Sequence, residues 1–438
     1  MYNPLSQKLA MITPETLIVG VDIAKHTHYA QMINFRGEGL YKPFPFQNTI
    51  SGIGDLVQQI KAVQSKHGLS TVLVAMEPTG HYWIPLARAL EKQGFTVVLV
   101  NPHHVKKAKE LDDNSPTKRD DKDAGVIARL ARDGRFVIPN IPRGVIAEIR
   151  RLVNFREQLN KEKQQTEAQI NIIVDLYFPE FREVFGSVKG KAAMAALKSF
   201  PFPADIVAKS VEEIAAVLRQ ATHNRIGQRH AELLKEKAST SIGIREGTEA
   251  ARMELQYHLR RMEEILAQSE LVEARLAELL NEVSYARHLL TMPGMSVVQV
   301  ATVVSEVGDL SSYRSARQPI KLAGLNLVEN SSGTHRGRTR ISKRGRAKLR
   351  CALFRIALVL VARTQEFSLL HRYYTTRPKN PLKGKQSLIA ICCKLLRIIF
   401  ALARKGVPYN PAMVLPENHP AYALAHGQSG KPAVRAAA

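Results

Sequence analysis

The chain has 438 residues, and its 63 Lys and Arg against 39 Asp and Glu leave a formal charge of +24 with a hydrophobic fraction of 45%. That length and apolar content provide for roughly two or three domains with real cores, and ordinary Gly and Pro usage excludes collagen-like and bulk-disordered chains. Three cysteines without a CxxC pair exclude a disulfide framework and a cysteine zinc site, and no signal-peptide core is present, so a reducing cytoplasm and a polyanionic partner are expected.

After a loose lead-in to Thr16, LIVGVDI (Leu17 to Ile23) reads as a buried strand, and YAQMINF (Tyr29 to Phe35) alternates as a second. A third strand is expected near Leu40 to Phe46. Helical spacing follows over Ile50 to His67, then a strand at Thr71 to Met76, a helix at His81 to Gln93 and a strand at Phe95 to Val100. A helix from about Asp120 to Arg132 completes an α/β layer with a mixed sheet. Trp83 is expected to pack within its helix.

The middle of the chain differs. Ala147 to Leu176 and Glu249 to Leu290 are long, charged and helical, and the second repeats Leu255, Met262, Leu276, Val283 and Leu290 at sevens, offset by Leu259, Leu266 and Leu280. A coiled coil between copies and an intramolecular helical pair fit this pattern equally. From Arg287 a compact second domain begins, and Pro293-Gly294 between two helices resembles a helix-hairpin-helix element. The organisation expected is 1–145 α/β, 146–286 helical, 287–405 basic and mostly helical, and 406–438 a poorly ordered tail. Cys351, Cys392 and Cys393 fall in apolar helical stretches and read as core. The apolar run Leu388 to Ala403 is short and carries Lys394 and Arg397, so no membrane span is expected.

The positive charge is concentrated late. Ser331 to Lys405 holds 19 Lys and Arg and one acid, Glu366. Arg336, Arg338, Arg340, Lys343, Arg344, Arg346, Lys348 and Arg350 crowd a single run without a carboxylate. Self-repulsion of this order calls for phosphates, so these eight residues are read as nucleic-acid-binding.

Four carboxylates stand out in the first domain. Asp22 lies at the end of the first strand, and Glu77 one residue past the Thr71 to Met76 strand. Asp120 and Asp123, at i and i+3, share a helix face. Neighbouring central strands would set Asp22 beside Glu77, and a helix packed on the sheet would bring Asp120 and Asp123 over them. Such a cluster repels itself unless it holds hard divalent cations, and all-oxygen ligation suits Mg²⁺ or Mn²⁺. The order strand-Asp, strand-Glu, helix DxxD is that of a ribonuclease-H-like nuclease. Within the basic run, Ser331 and Ser332 precede Gly333, placing a hydroxyl among guanidinium groups where attack on phosphorus is favoured. His335 reads as a phosphate contact or surface residue.

These motifs resemble the DEDD-type insertion-sequence transposases, bridge-RNA-guided recombinases that join a RuvC-like domain to a transposase domain with a catalytic serine. The resemblance rests on GVDIAK (Gly20 to Lys25), MEPTG (Met76 to Gly80), KRDDKDA (Lys118 to Ala124), KLAGLNL (Lys321 to Leu327), SSG and ISKRGRAKLR (Ile341 to Arg350). It implies metal-binding roles for Asp22, Glu77, Asp120 and Asp123, and makes Ser332 the nucleophile of a phosphoserine intermediate, with Ser331 its neighbour. Arg119 and Asp121 depart from the usual motif. The resemblance also implies donor and target DNA, a noncoding bridge RNA and a homo-oligomer (dimer or tetramer), with acids and serine contributed by separate domains. The alternative from the residues is a metal-dependent junction resolvase in which water attacks.

Overall fold

The computed structural model describes residues 4–112, 120–329, 331–332, 335–337, 339–416 and 419–423. Two compact units divide the chain, Met1–Ile141 and Pro142–Ala438.

In the first unit a short helix α1 (Pro4–Leu9) precedes β1 (Thr16–Asp22), β2 (Thr27–Ile33) and β3 (Gly39–Gln47). Then come α2 (Ile50–His67), β4 (Thr71–Met76), α3 (Trp83–Lys92), β5 (Thr96–Val100), α4 (Pro102–Asp112), α5 (Asp120–Arg132) and β6 (Phe136–Val137). The strands form one six-stranded sheet in the order β3-β2-β1-β4-β5-β6. β1 runs antiparallel to β2 and parallel to β4, and β4 is parallel to β5. This mixed sheet is compatible with a ribonuclease-H-like domain. β1 is buried from Thr16 to Val21 because both faces are covered, which is why it reads as a continuous apolar run. Leu17, Val19 and Val21 pack with residues of α2 and α3, while Ile18 joins Val105, Val126 and Ile127 on the other face. Trp83 packs against the first of these cores. The helix α4 was absent from the sequence-based expectation.

The second unit opens with α6 (Gly144–Tyr177), which packs on α12 (Thr248–Asn281). Ile149, Val153 and Leu159 meet Ile265, Val272 and Leu276, whereas Ile170 and Val174 meet Leu255 and Leu259. The helices therefore run antiparallel, in a pair formed within one chain. Of the expected sevens, Leu255, Met262, Leu276 and Val283 are buried, with Leu259 and Leu280 of the offset series. Leu266 and Leu290 are exposed, Ile265 is buried in place of Leu266, and the helix ends at Asn281 rather than at Leu290. A straight helix repeats every 3.6 residues, so a seven-residue pattern drifts at its edges. Between the long helices lie α7 (Phe181–Phe185), α8 (Lys191–Ser199), α9 (Pro203–Val207), α10 (Val211–Thr222) and α11 (Gln228–Ser239), with a core that includes Phe178, Phe181, Phe200 and Phe202.

The basic portion continues with α13 (Ala286–Leu290), α14 (Val297–Val307) and α15 (Arg317–Leu322). Ser296 caps α14, accepting from the Gln299 N–H while Gln299 Oε1 accepts from the Ser296 N–H. Gly294, at φ +76°, is required because a Cβ there would lie 2.6 Å from Val359 Cγ1. The short strands β7 (Leu327–Val328), β8 (Ser331–Ser332), β9 (His335–Arg336) and β10 (Arg340–Ile341) lead into α16 (Ala347–Arg363), α17 (Gln365–Thr376) and α18 (Gly384–Lys405). By length and composition α18 could cross a membrane, yet Leu388, Ile391, Leu395, Leu396 and Ile399 sit in the core of this unit. Cys392 is buried and its thiol is pushed up to about 12 by burial, whereas Cys351 lies on the exposed side of α16, contrary to its expected core position. Of the segment expected to be a poorly ordered tail, residues 406–416 and 419–423 are described and the rest lies outside the described residues. α19 (Pro411–Val414) and α20 (Pro420–Ala423) place Val414, Leu415 and Ala421 in the core.

Candidate functional site

The acidic site is built by a glycine. A Cβ on Gly20 of β1 would lie 2.0 Å from Ala124 O and 2.6 Å from Ala128 N of α5. Only a bare backbone lets that helix lie directly on the strand. With Ala124 and Ala128 also small, the first turn of α5 is drawn down beside the end of β1. The β1–β4 register pairs Val21 with Met76, so Asp22 and Glu77 follow at neighbouring strand ends. Pro78 then turns the chain away, and the Thr79 N–H donates to Glu77 O at 2.8 Å. Asp22 and Glu77 are half-buried and Asp123 is 6% exposed. Asp120 opens α5, but its side chain lies outside the described residues. The structure thus brings Asp22 beside Glu77, and Glu77 close to Asp123.

One residue of this site escaped the sequence reading. Lys109 of α4 forms an ion pair with Asp123. Burial raises the Glu77 carboxyl above its usual range; Lys109 opposes that rise and Asp123 adds to it. Two carboxylates therefore face one ammonium group. The signal for α4 was present in Asn101-Pro102, a capping side chain followed by proline at the first helical position. Asn101 Oδ1 does accept from the His103 N–H at 2.9 Å.

Among the described residues, no three His, Cys, Asp or Glu side chains already close into a metal-holding set. The donors nevertheless fit a hard cation. Asp22, Glu77 and Asp123 offer only oxygen, the burial cost of Glu77 favours a charge partner, and Lys109 already supplies positive charge there. Asp22, Glu77 and Asp123, with Asp120, are the residues that would hold such an ion.

The loop after β1 is also held. His28 is fully buried and its Nδ1 accepts from the Ala24 N–H at 3.2 Å, while Asn48 Nδ2 donates to Lys25 O. Burial lowers the His28 pKa and so favours the neutral ring that this acceptor role needs.

In the second unit, β7 and β10 pair antiparallel, Ile341 with Leu327 and Arg340 with Val328. Ser342 N–H donates to Asn326 O at 2.8 Å, Lys343 N–H to Gly324 O at 3.0 Å and Arg346 N–H to Leu322 O at 2.7 Å. A Cβ on Gly345 would stand 2.3 Å from Leu322 O, and Gly324 takes φ +66° against Lys343 and Arg344. The KLAGLNL and ISKRGRAKLR motifs are thus two sides of one arch. From it projects a hairpin in which β8 pairs with β9, Ser332 opposite His335 and Ser331 opposite Arg336. The side chains of Ser331, Ser332, His335 and Arg336, and all of Arg338, lie outside the described residues.

The six basic residues of this run whose side chains are described differ in their surroundings. Arg340, Lys343 and Arg344 are exposed. Arg346 instead donates to Glu306 O and has its Nη1 3.7 Å from Glu306 Oε2. Lys348 donates to Asn154 Oδ1 at 2.8 Å and pairs with Glu157, and Arg350 donates to Ala323 O at 2.9 Å. These three have protein partners in the structure without nucleic acid, and Lys348 is exposed as well. A buried carboxylate, Glu306 at the end of α14, and the carbonyls of that helix C-terminus draw Arg346 inward. Arg150 of α6 donates to Ser305 O from Nε at 2.8 Å in the same cluster. Its pKa is lowered by burial first and by neighbouring Arg346 second.

The model of the DEDD-type IS110 family, described as "Transposase", matches residues 19–179, and a second, described as "Transposase IS116/IS110/IS902 family", matches residues 286–375. The chain belongs to this family of DEDD-type insertion-sequence transposases and is a DNA transposase. It is similar to the "Insertion element IS116 uncharacterized 44.8 kDa protein" of Streptomyces clavuligerus, at 23% identity over 90% of this chain and 96% of the relative. The IS900 protein of Mycobacterium paratuberculosis, at 24%, covers 90% and 97%. The "Pilin gene-inverting protein" of Moraxella lacunata matches equally, at 24% over 90% and 97%.

Proposed function

We propose that the chain moves an insertion sequence by a phosphoserine route, with Ser332 as nucleophile and Asp22, Glu77, Asp120 and Asp123 holding Mg²⁺ or Mn²⁺. The observation that carries this reading is the meeting of Asp22 and Glu77 at adjacent strand ends, with Asp123 and Lys109 beside them. A bound divalent ion supplies stabilisation of charge developing on phosphate oxygens.

Ser332 Oγ attacks a backbone phosphorus; the new Ser–O–P bond forms as the bond to the leaving sugar oxygen breaks, and the proton lost from the serine is balanced by the one that the leaving oxygen takes up to become a hydroxyl. Rejoining reverses the step when another strand's hydroxyl attacks the phosphoserine. Arg340, Lys343 and Arg344, with Arg336 and Arg338, hold flanking phosphates. The pairing information comes from a noncoding bridge RNA that matches donor and target DNA. The chain works in the cytoplasm as a homo-oligomer, a dimer or tetramer, and its domains divide as 1–145, 146–286 and 287–405.

The test uses labelled DNA carrying the element's own ends. Wild-type protein should yield a protein–DNA adduct that survives denaturation. Ser332→Ala should abolish it, Ser331→Ala should retain it, and Asp22→Asn should abolish cleavage. If Ser332→Ala still releases free ends at the normal rate, water is the nucleophile and the junction-resolvase reading replaces this one.

A further inference from the structure

A second concentration of charge lies beyond the serine hairpin. No Asp or Glu occurs between Glu366 and Glu417, while nine Lys and Arg fall between Arg372 and Lys405. Four of these, Arg377, Lys379, Lys383 and Lys385, occupy or border the loop joining α17 to α18. Lys379, Lys383 and Lys385 are exposed, as are Arg372 and Arg397.

This loop has a built shape. Leu382 N–H donates to Tyr374 O at 2.8 Å, and Arg377 Nε donates to Asn380 O at 2.9 Å. Asn380 adopts φ +55°, and Gln386 Oε1 accepts from the Lys383 N–H at 2.9 Å. The Arg377 guanidinium lies 5.9 Å from the centre of the Tyr374 ring. Tyr374, whose phenol is pushed up by burial, is drawn back by both Arg377 and Arg397, which places two guanidinium groups around one side chain.

None of Arg372, Arg377, Lys379, Lys383, Lys385, Lys394 or Arg397 pairs with a carboxylate among the described residues. Burial and then Arg397 make the Lys394 ammonium easier to deprotonate, so like charges are gathered here. An ordinary solvated surface intersperses the two signs. The N-terminus of α18 adds its partial positive charge beneath Lys383 and Lys385. Contrast the 343–350 run, where Arg346 and Lys348 are neutralised internally.

We infer that the 377–385 loop, with Arg372 and Arg397, is a second nucleic-acid surface that grips a phosphodiester backbone separately from the cations around the serine hairpin. It rests on the chain's being a DNA transposase and is independent of which group attacks phosphorus.

The test is a salt titration of binding to the full-length protein by fluorescence anisotropy, with duplex DNA in one arm and single-stranded RNA in the other. The variant carries Lys379→Gln, Lys383→Gln and Lys385→Gln. A control removes equal charge from exposed sites in the first unit by Lys61→Gln, Lys66→Gln and Lys92→Gln. If the three loop lysines neutralise phosphates, the slope of log affinity against log salt should become shallower by about 2.7 on duplex DNA or about 2 on a single strand. Loss in the DNA arm assigns the loop to DNA, and loss in the RNA arm assigns it to RNA. Unchanged slopes in both arms, or an equal loss in the control, would overturn the inference. Thermal midpoints of both variants should match wild type, because these lysines have no ion pairs to lose among the described residues. A loop variant that loses binding while wild type forms no serine adduct would keep this inference and remove the phosphoserine reading.

Discussion

Lys109 of α4 is ion-paired with Asp123 of α5, and Glu77 at the end of β4 feels both charges. Removing the ammonium leaves two carboxylates opposed. Because Lys109 is about a third exposed, Lys109→Met should cost about 1–2 kcal/mol in chelator, less than for a fully buried pair. Mn²⁺ should restore more stability to the variant than to wild type. Thermal midpoints with EDTA and with Mn²⁺ measure this. Equal shifts in both conditions would show that Lys109 does not face the carboxylates proposed to hold the ion.

Glu77 predicts a pH dependence. Its folded carboxyl is raised, mainly by burial, above the ordinary value of 4.5. The native state then holds the proton more tightly than the unfolded chain does. Stability present below the unfolded value is lost as pH rises through the folded one. Denaturant midpoints of metal-free protein should therefore fall as pH rises above about 4.5, and Glu77→Gln should flatten that fall. A wild-type profile rising over the same window would contradict the sign.

Gly20→Val tests how α5 is seated. With backbone atoms of Ala124 and Ala128 inside 2.6 Å of a Cβ, no side-chain rotation relieves the overlap. The substitution should cost about 3 kcal/mol or more and weaken metal binding together with stability. Calorimetric Mn²⁺ titration of folded variant protein measures the second effect. Intact affinity would mean that the helix position is not what sets the acids.

Arg346→Met separates scaffold from grip. It strands Glu306, a nearly buried carboxylate, so stability should drop by about 2–3 kcal/mol. The salt slope of DNA binding should stay within about half a unit of wild type, whereas Arg344→Gln should lower it by about 0.9. A slope loss from Arg346→Met equal to that from Arg344→Gln would return Arg346 to the phosphate-binding surface.

Much of the first unit was legible because its signals are local. Apolar runs bounded by Gly and Pro set the strands, and Asp22 and Glu77 stand where those runs stop. The spacing of Asp120 and Asp123 needs only a helix. Lys109 was not legible: among the described residues α4 carries little apolar pattern, with Val105 its one fully buried core residue there, and its pairing arises from packing against α5. The pairing of Arg346 was not legible for a related reason. Its partner Glu306 lies 40 positions earlier, so the local sequence shows only a basic run. Leu266 and Cys351 failed because composition identifies an apolar helix without saying which side turns inward.

Closing the arch at Asn326 and Ser342 has an evolutionary corollary. Both feet of the projecting hairpin are anchored by main-chain bonds to the bundle, at Gly324 and Leu322 as well as at the strands. Substitutions or length changes at the hairpin tip therefore need not propagate into the helices below. Related elements could diversify this projection as an interchangeable tool head while inheriting an unchanged handle.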